Sequence, residues 1–496
     1  MLVGGSSAQL RPTGAGRAVQ ALAWLALALM LARAVTLWAA DPLLGYANNW
    51  DQVRTTAVFG LKPRDSGQEI HAGTPEQPWR FYIQAAPMGP PIYPSSDLLV
   101  KAVQVAAMKV FSGPDGVMDI KVAGAALLIG WLAGVLWVFV RLLARPAAAL
   151  GFALWCCVVA DPINLLFLNT LYAEFSAFMA ATLLVGVLWL WLEKRLATRW
   201  TLLVGGTLVL FLGLHRNQWA YLGVALLPVA LALAWVGRQR GGVFSRRAAL
   251  GWALLAAVVC AAPVMMFQRP ADDLMKLITS ANRVNTVMHM LLPASEDPPA
   301  MLRAMKLPES CLAMSGKHWW AAPAAEFEAN CPPIMRLPLM RIGRALAAEP
   351  QVMVPIIKTI ALRYRGFVQG NLGQVEGQRL ASISDSDNRA RASFNEVIMW
   401  LAPGWVQALI WLSIVGPFVL AAAGLVAGRA DGRRWAVVFA AQGLLFNYGW
   451  FSALFGDGYV DVERHASLCF SFGAWLPILL LAGVGARLLE GRPRAE

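Results

Sequence analysis

Ten apolar stretches punctuate this chain, near residues 18–40, 119–141, 147–160, 170–192, 201–214, 217–236, 248–267, 404–427, 434–455 and 466–488. A helix that crosses a bilayer needs roughly 20 apolar residues and satisfies every backbone hydrogen bond within itself. Most of the stretches are long enough; 147–160 and 201–214 are short, which leaves the count uncertain by one or two. With 58% hydrophobic and 14% charged residues over 496 positions, the chain is more apolar than a soluble interior can absorb. The expected fold class is an all-α polytopic membrane protein of about ten transmembrane helices.

Lys and Arg in short joints set orientation, because they stay preferentially on the cytoplasmic side. Threading from a cytoplasmic N-terminus puts Arg141 and Arg145, Lys194, Arg195 and Arg199, Arg238 through Arg247, Arg429 through Arg434, and Arg487 through Arg494 inside. The opposite short joints carry only Arg216 and Arg464, each beside polar or acidic residues. Both termini are therefore expected in the cytoplasm, and the net charge of +13 is read as this topological bias. Scattered over separate joints, the cations do not form a nucleic-acid surface, so no nucleic-acid partner is expected. The first stretch exceeds a typical signal h-region and lacks a small residue three positions before a cleavage point, so it reads as a retained anchor.

Three regions follow: an N-terminal transmembrane module (1–267) with a first outer loop at 41–118, an outer insertion at 268–403, and a C-terminal transmembrane module (404–496). The insertion holds Cys311 and Cys331, which outside the cytoplasm can close a disulfide. Cys156, Cys157, Cys260 and Cys469 sit in apolar stretches as packing residues. Within the first loop, Leu99, Val103, Ala106 and Val110 recur at helical spacing opposite Lys101, Gln104 and Lys109. They predict a helix from Asp97 to Phe111, either lying on the membrane surface or packed on the outer domain. Pro87, Pro90, Pro91 and Pro94 upstream predict an irregular loop over the site.

Conspicuous polar residues converge on the outer side. Asp51 follows the first stretch. Asp161, Asn164, Tyr172 and Glu174 flank the joint before the fourth stretch; a carboxylate at the membrane boundary usually has a partner or a task. His215 and Arg216 supply the next outer turn, where Arg can grip phosphate bidentately and His can share the anion or donate a proton. The last outer joint carries Asp457, Asp461, Glu463, Arg464 and His465, the last two beginning a helix whose N-terminus favours an anion. A plainer account makes each of these a helix cap, an internal ion pair such as Asp461 or Glu463 with Arg464, or an ordinary loop residue. Together they place carboxylates on one part of the outer face and Arg/His pairs on another. Moving a group from a lipid phosphate to a hydroxyl needs such a base and such cations.

This arrangement resembles the GT-C superfamily of glycosyltransferases, which use polyprenyl-phosphate-linked sugars outside the cytoplasm. The likeness rests on Trp50-Asp51 soon after the first stretch, a surface helix later in that loop, many spans, a large outer insertion, and the Asn169-Thr170-Leu171-Tyr172-Ala173-Glu174 segment, similar to Asn-x-x-Tyr-x-Glu segments of bacterial members. It implies an enzyme of the bacterial inner membrane that transfers a hexosyl or pentosyl group to a glycan or lipid acceptor at the periplasmic face. By position it makes Asp51 the catalytic base, with His215, Arg216, Arg464 and His465 on the donor phosphate. Many members carry paired acids in the first loop; here Asn49 and Gln52 flank Asp51, so a divalent cation remains an open requirement. A lipid-linked sugar transporter or flippase is the competing class, although few polar residues lie mid-span beyond Gln442 and Asn447 and no internal repeat is visible. A surface-polysaccharide polymerase or ligase would use the same donor.

Overall fold

The computed structural model describes residues 14–47, 50–64, 76–86, 95–238, 246–267, 273–363, 372–383, 401–460 and 462–490. At Asp51 and Glu463 only the backbone is described. Asp461 and the proline-rich stretch 87–94 lie outside the described residues.

The chain is a polytopic, almost wholly helical membrane protein, and every one of the ten apolar stretches is a helix. They are α1 (Gly14–Ala39), α4 (Ile120–Leu142), α5 (Pro146–Val159), α7 (Glu174–Leu192), α8 (Thr198–Gly213), α9 (Leu222–Arg238), α10 (Arg246–Phe267), and the helices Pro403–Val426, Ala430–Asp457 and Ser467–Glu490. Among the described residues, eight helices are long and apolar enough to cross a membrane, while Pro146–Val159 and Thr198–Gly213 are shorter. A pair at Leu339–Ala348 and Pro350–Leu362, bent by 97°, would add a broken ninth passage.

The bundle is organised round α7, whose best apolar window is 89% buried, against 11% for that of the Leu250–Phe267 span. Lipid tails are as apolar as leucine, so such helices hold together by close packing rather than by escape from water. Gly186 allows this on the α4 side: a Cβ there would stand 2.7 Å from Val138 Cγ2. Trp131, Trp155, Trp189 and Trp191 fill the interior and are fully buried.

The two ends of α7 differ in chemistry. At its C-terminus, Arg434 donates to the Trp191 carbonyl at 3.1 Å, and Lys194 meets Asp431 at 2.9 Å. Roughly 28 Å away, at 1.5 Å rise per residue, Glu174 opens the helix among the other polar joints. Helix dipoles favour this polarity, with the acid at the N-terminus.

The first loop forms a small platform at the Glu174 end. Strands β1 (Leu61–Pro63), β2 (Phe81–Gln84) and β3 (Met118–Asp119) make an antiparallel sheet in the order β1-β2-β3, with Lys62 opposite Ile83. Asp119 closes the sheet onto α4 by accepting from Lys121 N at 2.9 Å, and Arg80 pairs with it at 2.9 Å. Helix α3 (Asp97–Val110) forms where the periodicity placed it. Leu99, Val103, Val110 and Phe111 are exposed, while Asp97, Lys101 and Gln104 are buried together with Val105 and Met108, and Lys109 stays exposed.

The described part of the insertion is a set of short helices, among them α11 (Asp273–Val284) and a π-helical turn, Asn285–Leu291. Cys311 and Cys331 are joined by a disulfide. This region reaches back to the bundle, because Asn285 donates to Asp457 Oδ1 at 2.7 Å.

Candidate functional site

A cleft lies where α7 begins, α8 ends and the final span begins, lined by Asn164, Phe167, Glu174, His215, Arg216, Gln218, Trp219, Arg464, His465 and their neighbours. It brings together six residues that the sequence marked separately: Asn164, Glu174, His215, Arg216, Arg464 and His465. The expected division into a carboxylate part and a cation part does not hold for them. Glu174 Oε1 stands 2.9 Å from Arg216 Nη1 and 3.6 Å from Arg464 Nε, so one acid is shared by two guanidinium groups. Three joints that are remote in sequence meet at one end of the bundle, and two buried cations gathered there require a counter-charge.

Local structure fixes each member. Glu174 is the first residue of α7, and Arg216 precedes the 3-10 turn Asn217–Trp219. Gln218 is the residue that sequence reasoning left out of the site. Its Nε2 donates to the His465 carbonyl at 3.2 Å, which leaves Oε1 to accept from His465 Nδ1 at 3.1 Å. His465 Nε2 lies 3.4 Å from Arg464 Nη2. Gln218 lies two residues beyond Arg216 in the same polar turn, which was the available signal. Phe167 and Trp219 are further lining residues that nothing polar in the sequence announced.

His215 belongs to a second, wholly buried seam that runs from α3 to the cleft. Asp97, Lys101, Ser176 and His215 are all at most 4% exposed. Ser176 Oγ donates to Asp97 Oδ1 at 2.5 Å and lies 2.8 Å from His215 Nε2. Lys101 Nζ donates to Gln104 Oε1 at 2.8 Å and to the Tyr172 carbonyl at 2.7 Å, and stands 3.8 Å from Asp97. Burial lowers the Lys101 ammonium from its ordinary range, against the opposing pull of Asp97. Burial likewise pulls the His215 imidazole down to about 4, opposed by Asp97, so the ring is neutral at pH 7.

Of the remaining sequence-marked residues, Asp161, Tyr172 and Asp457 stand outside the cleft lining. Asp161 caps the short helix α6 (Pro162–Leu165), accepting from Ile163 N at 3.2 Å. Tyr172 donates to the Ala47 carbonyl at 2.8 Å, and Asp457 accepts from Asn285. The side chain of Glu463, all of Asp461 and the side chain of Asp51 fall outside the described residues.

The backbone of Asp51 is nevertheless placed, in the first turn of α2 (Trp50–Phe59). The segment before it is tied to the cleft wall. Tyr46 packs its ring on Phe167 at 4.5 Å between centroids and donates to the Ile163 carbonyl at 3.3 Å; Asn169 Nδ2 donates to the Leu44 carbonyl at 2.9 Å. From the other side, Gly45 N and Ala47 N donate to the carbonyls of Gln374 and Gly373 at 3.1 and 2.9 Å. Among the described residues no group of three or more His, Cys, Asp or Glu is placed to hold a metal ion.

Two guanidiniums sharing one carboxylate at a cleft between helix ends suit an anionic group, and a family model of the YfdI N-terminal transmembrane domain matches residues 15–334. The chain belongs to that family. The matched segment takes in Asp51, Glu174, His215 and Arg216, whereas Arg464 and His465 lie beyond it. Among curated proteins and solved structures, none matches the chain.

Proposed function

We propose that this YfdI-family membrane protein is a glycosyltransferase that moves a hexosyl or pentosyl group from a polyprenyl-phosphate donor to a glycan or lipid acceptor of the cell envelope. Its site would face the periplasm from the bacterial inner membrane. The observation that carries this reading is the Arg216–Glu174–Arg464 trio in its cleft. A phosphodiester linking a sugar to a lipid is an anion of the kind that paired guanidiniums bind. Guanidinium forks suit the oxygens on which charge grows as the lipid phosphate departs.

Asp51 is the base in this reading. It would take the proton of the acceptor hydroxyl as the anomeric carbon transfers. The basic joints at the Arg434 end, and a disulfide in the insertion, fit an outer side at the Glu174 end. Enzyme is favoured over transporter by the use of the two mid-span amides. Gln442 donates to the Phe472 carbonyl at 2.9 Å and Asn447 to the Ile414 carbonyl at 3.1 Å, so the donor group of each serves helix packing, while Gln442 Oε1 and Asn447 Oδ1 are buried without a partner.

The test is transfer from a polyprenyl-phosphate sugar by purified protein, with the envelope glycans of a deletion strain supplying the acceptor class by mass analysis. Asp51→Asn should abolish transfer with expression and thermal stability unchanged. Full activity in that variant would remove Asp51 as base.

A further inference from the structure

His215 points to a more specific role than holding phosphate. The Ala173 carbonyl lies 2.9 Å from Nε2, and a carbonyl only accepts, so Nε2 carries the proton. Ser176 agrees with this assignment. Its single hydrogen faces two groups that only accept, the Asp97 carboxylate at 2.5 Å and the Ala173 carbonyl at 2.8 Å, the shorter and charged one being favoured, and in either case Oγ is left to accept from Nε2–H at 2.8 Å. The chain of donors therefore runs His215 to Ser176 to Asp97, and Lys101 holds Asp97 at the far end. With Nε2 protonated in a neutral ring, Nδ1 has a lone pair and no hydrogen.

That Nδ1 is buried and meets no hydrogen-bond partner, on a ring that is 1% exposed and lines the cleft. A buried acceptor left unmade is costly, and such sites are commonly completed by a ligand or water. Phosphodiester oxygens only accept, so a lone pair on Nδ1 repels them. Arg216, next in sequence, and Arg464 are the groups suited to the phosphate. What completes Nδ1 must bring a hydrogen, and on a lipid-phosphate-linked sugar the hydrogens available for this are the sugar's hydroxyls.

Resting on the donor assignment above, we propose that His215 Nδ1 accepts a hydrogen bond from a hydroxyl of the sugar on the lipid phosphate, and that Asp97 and Ser176 are positioning residues that set its tautomer. The cleft then divides its labour. The arginines read the phosphate, which every polyprenyl donor shares, and His215 reads the carbohydrate, which only the charged donor carries.

The experiment compares binding of farnesyl phosphate with binding of farnesyl phosphoglucose and farnesyl phosphomannose to the full chain in lipid nanodiscs, by calorimetry. His215→Gln keeps a group able to reach Ser176 and removes the Nδ1 acceptor. It should weaken the sugar-bearing probes about tenfold and leave farnesyl phosphate within about twofold, whereas Arg464→Ala weakens all three. Equal loss on all three probes, or no loss, overturns the role of His215 while leaving the donor reading intact. Failure of every probe to bind the wild type overturns both. Should His215→Gln not fold, nitrogen-15 spectra of the histidines decide, and with only five in the chain they are assignable. At pH 7 the wild type should show a neutral Nε2–H ring at His215, with Nδ1–H gaining population in Ser176→Ala. A wild-type Nδ1–H or doubly protonated ring would sink the proposal.

Discussion

The seam beneath α3 and the cleft beside it are both buried and both charged, yet they are completed differently. In the seam, Lys101 makes two hydrogen bonds and Asp97 takes the Ser176 hydroxyl, so charge is closed off within the protein. In the cleft, one carboxylate is shared by two guanidiniums at 2.9 and 3.6 Å, and His215, which lines it, has a buried Nδ1 without a partner. Burial of charge does not by itself mark a site. What separates the two regions is whether the protein's own groups finish the hydrogen bonding.

The sharpest way to break this distinction is to remove one cation from the cleft. Arg464→Ala or Arg216→Ala should lower transfer from a polyprenyl-phosphate sugar by about 10² to 10³-fold, with little change in melting temperature. A collapse in stability with normal transfer per folded molecule would make the cleft a structural ion pair. The seam should answer in the opposite sense. Asp97→Ala leaves Lys101 buried without its counter-charge and should destabilise by about 3 kcal/mol, measured by thermal unfolding. Pairing it with Lys101→Met should recover much of that loss; no recovery would mean the two charges are not coupled.

His215 joins the two regions and gives a pH signature. Its imidazole titrates near 4 when folded and near 6.5 in its ordinary state, so between those values the unfolded chain binds the extra proton. Stability from this group is complete above about pH 6.5 and is lost as pH falls toward 4. Wild type should lose about 2 kcal/mol more than His215→Gln between pH 7 and pH 5; parallel curves would show the ring to be solvated. The smallest effect is expected at the wall that carries the Asp51 segment. A Cβ on Gly124 would meet Asn169 Oδ1 at 2.8 Å and the Leu168 carbonyl at 2.9 Å. Gly124→Ala should therefore cost about 1 kcal/mol and lower transfer modestly through Asn169, which holds Leu44.

Much of the fold was legible because span length and joint charge are local properties. The ten apolar stretches became ten helices, and the helix after Asp97 formed at its periodic spacing. Which face of that helix turns inward was not legible. Periodicity separates Leu99 and Val103 from Lys101 and Gln104, but an apolar face can meet lipid as readily as a core, so pattern alone leaves the sign open. The site was readable as a set of ends and unreadable as a set of pairs. Arg216 and Glu174 stand on adjoining joints, whereas Arg464 reaches Glu174 across nearly the whole chain, and Ser176 inside an apolar helix gave no hint that it would bridge Asp97 to His215. Gln218 looked like part of a turn because its function is to orient His465, which only the folded geometry reveals.

The seating of α3 has a practical side. Leu99, Val103, Val110 and Phe111 form an apolar ledge on a helix packed against α4, with Val110 77% and Phe111 72% exposed. A detergent belt cut to the height of the spans leaves that ledge bare, and preparations made that way should clump on dilution. Amphiphiles or lipid patches broad enough to wet it are the ones in which this protein should stay monodisperse.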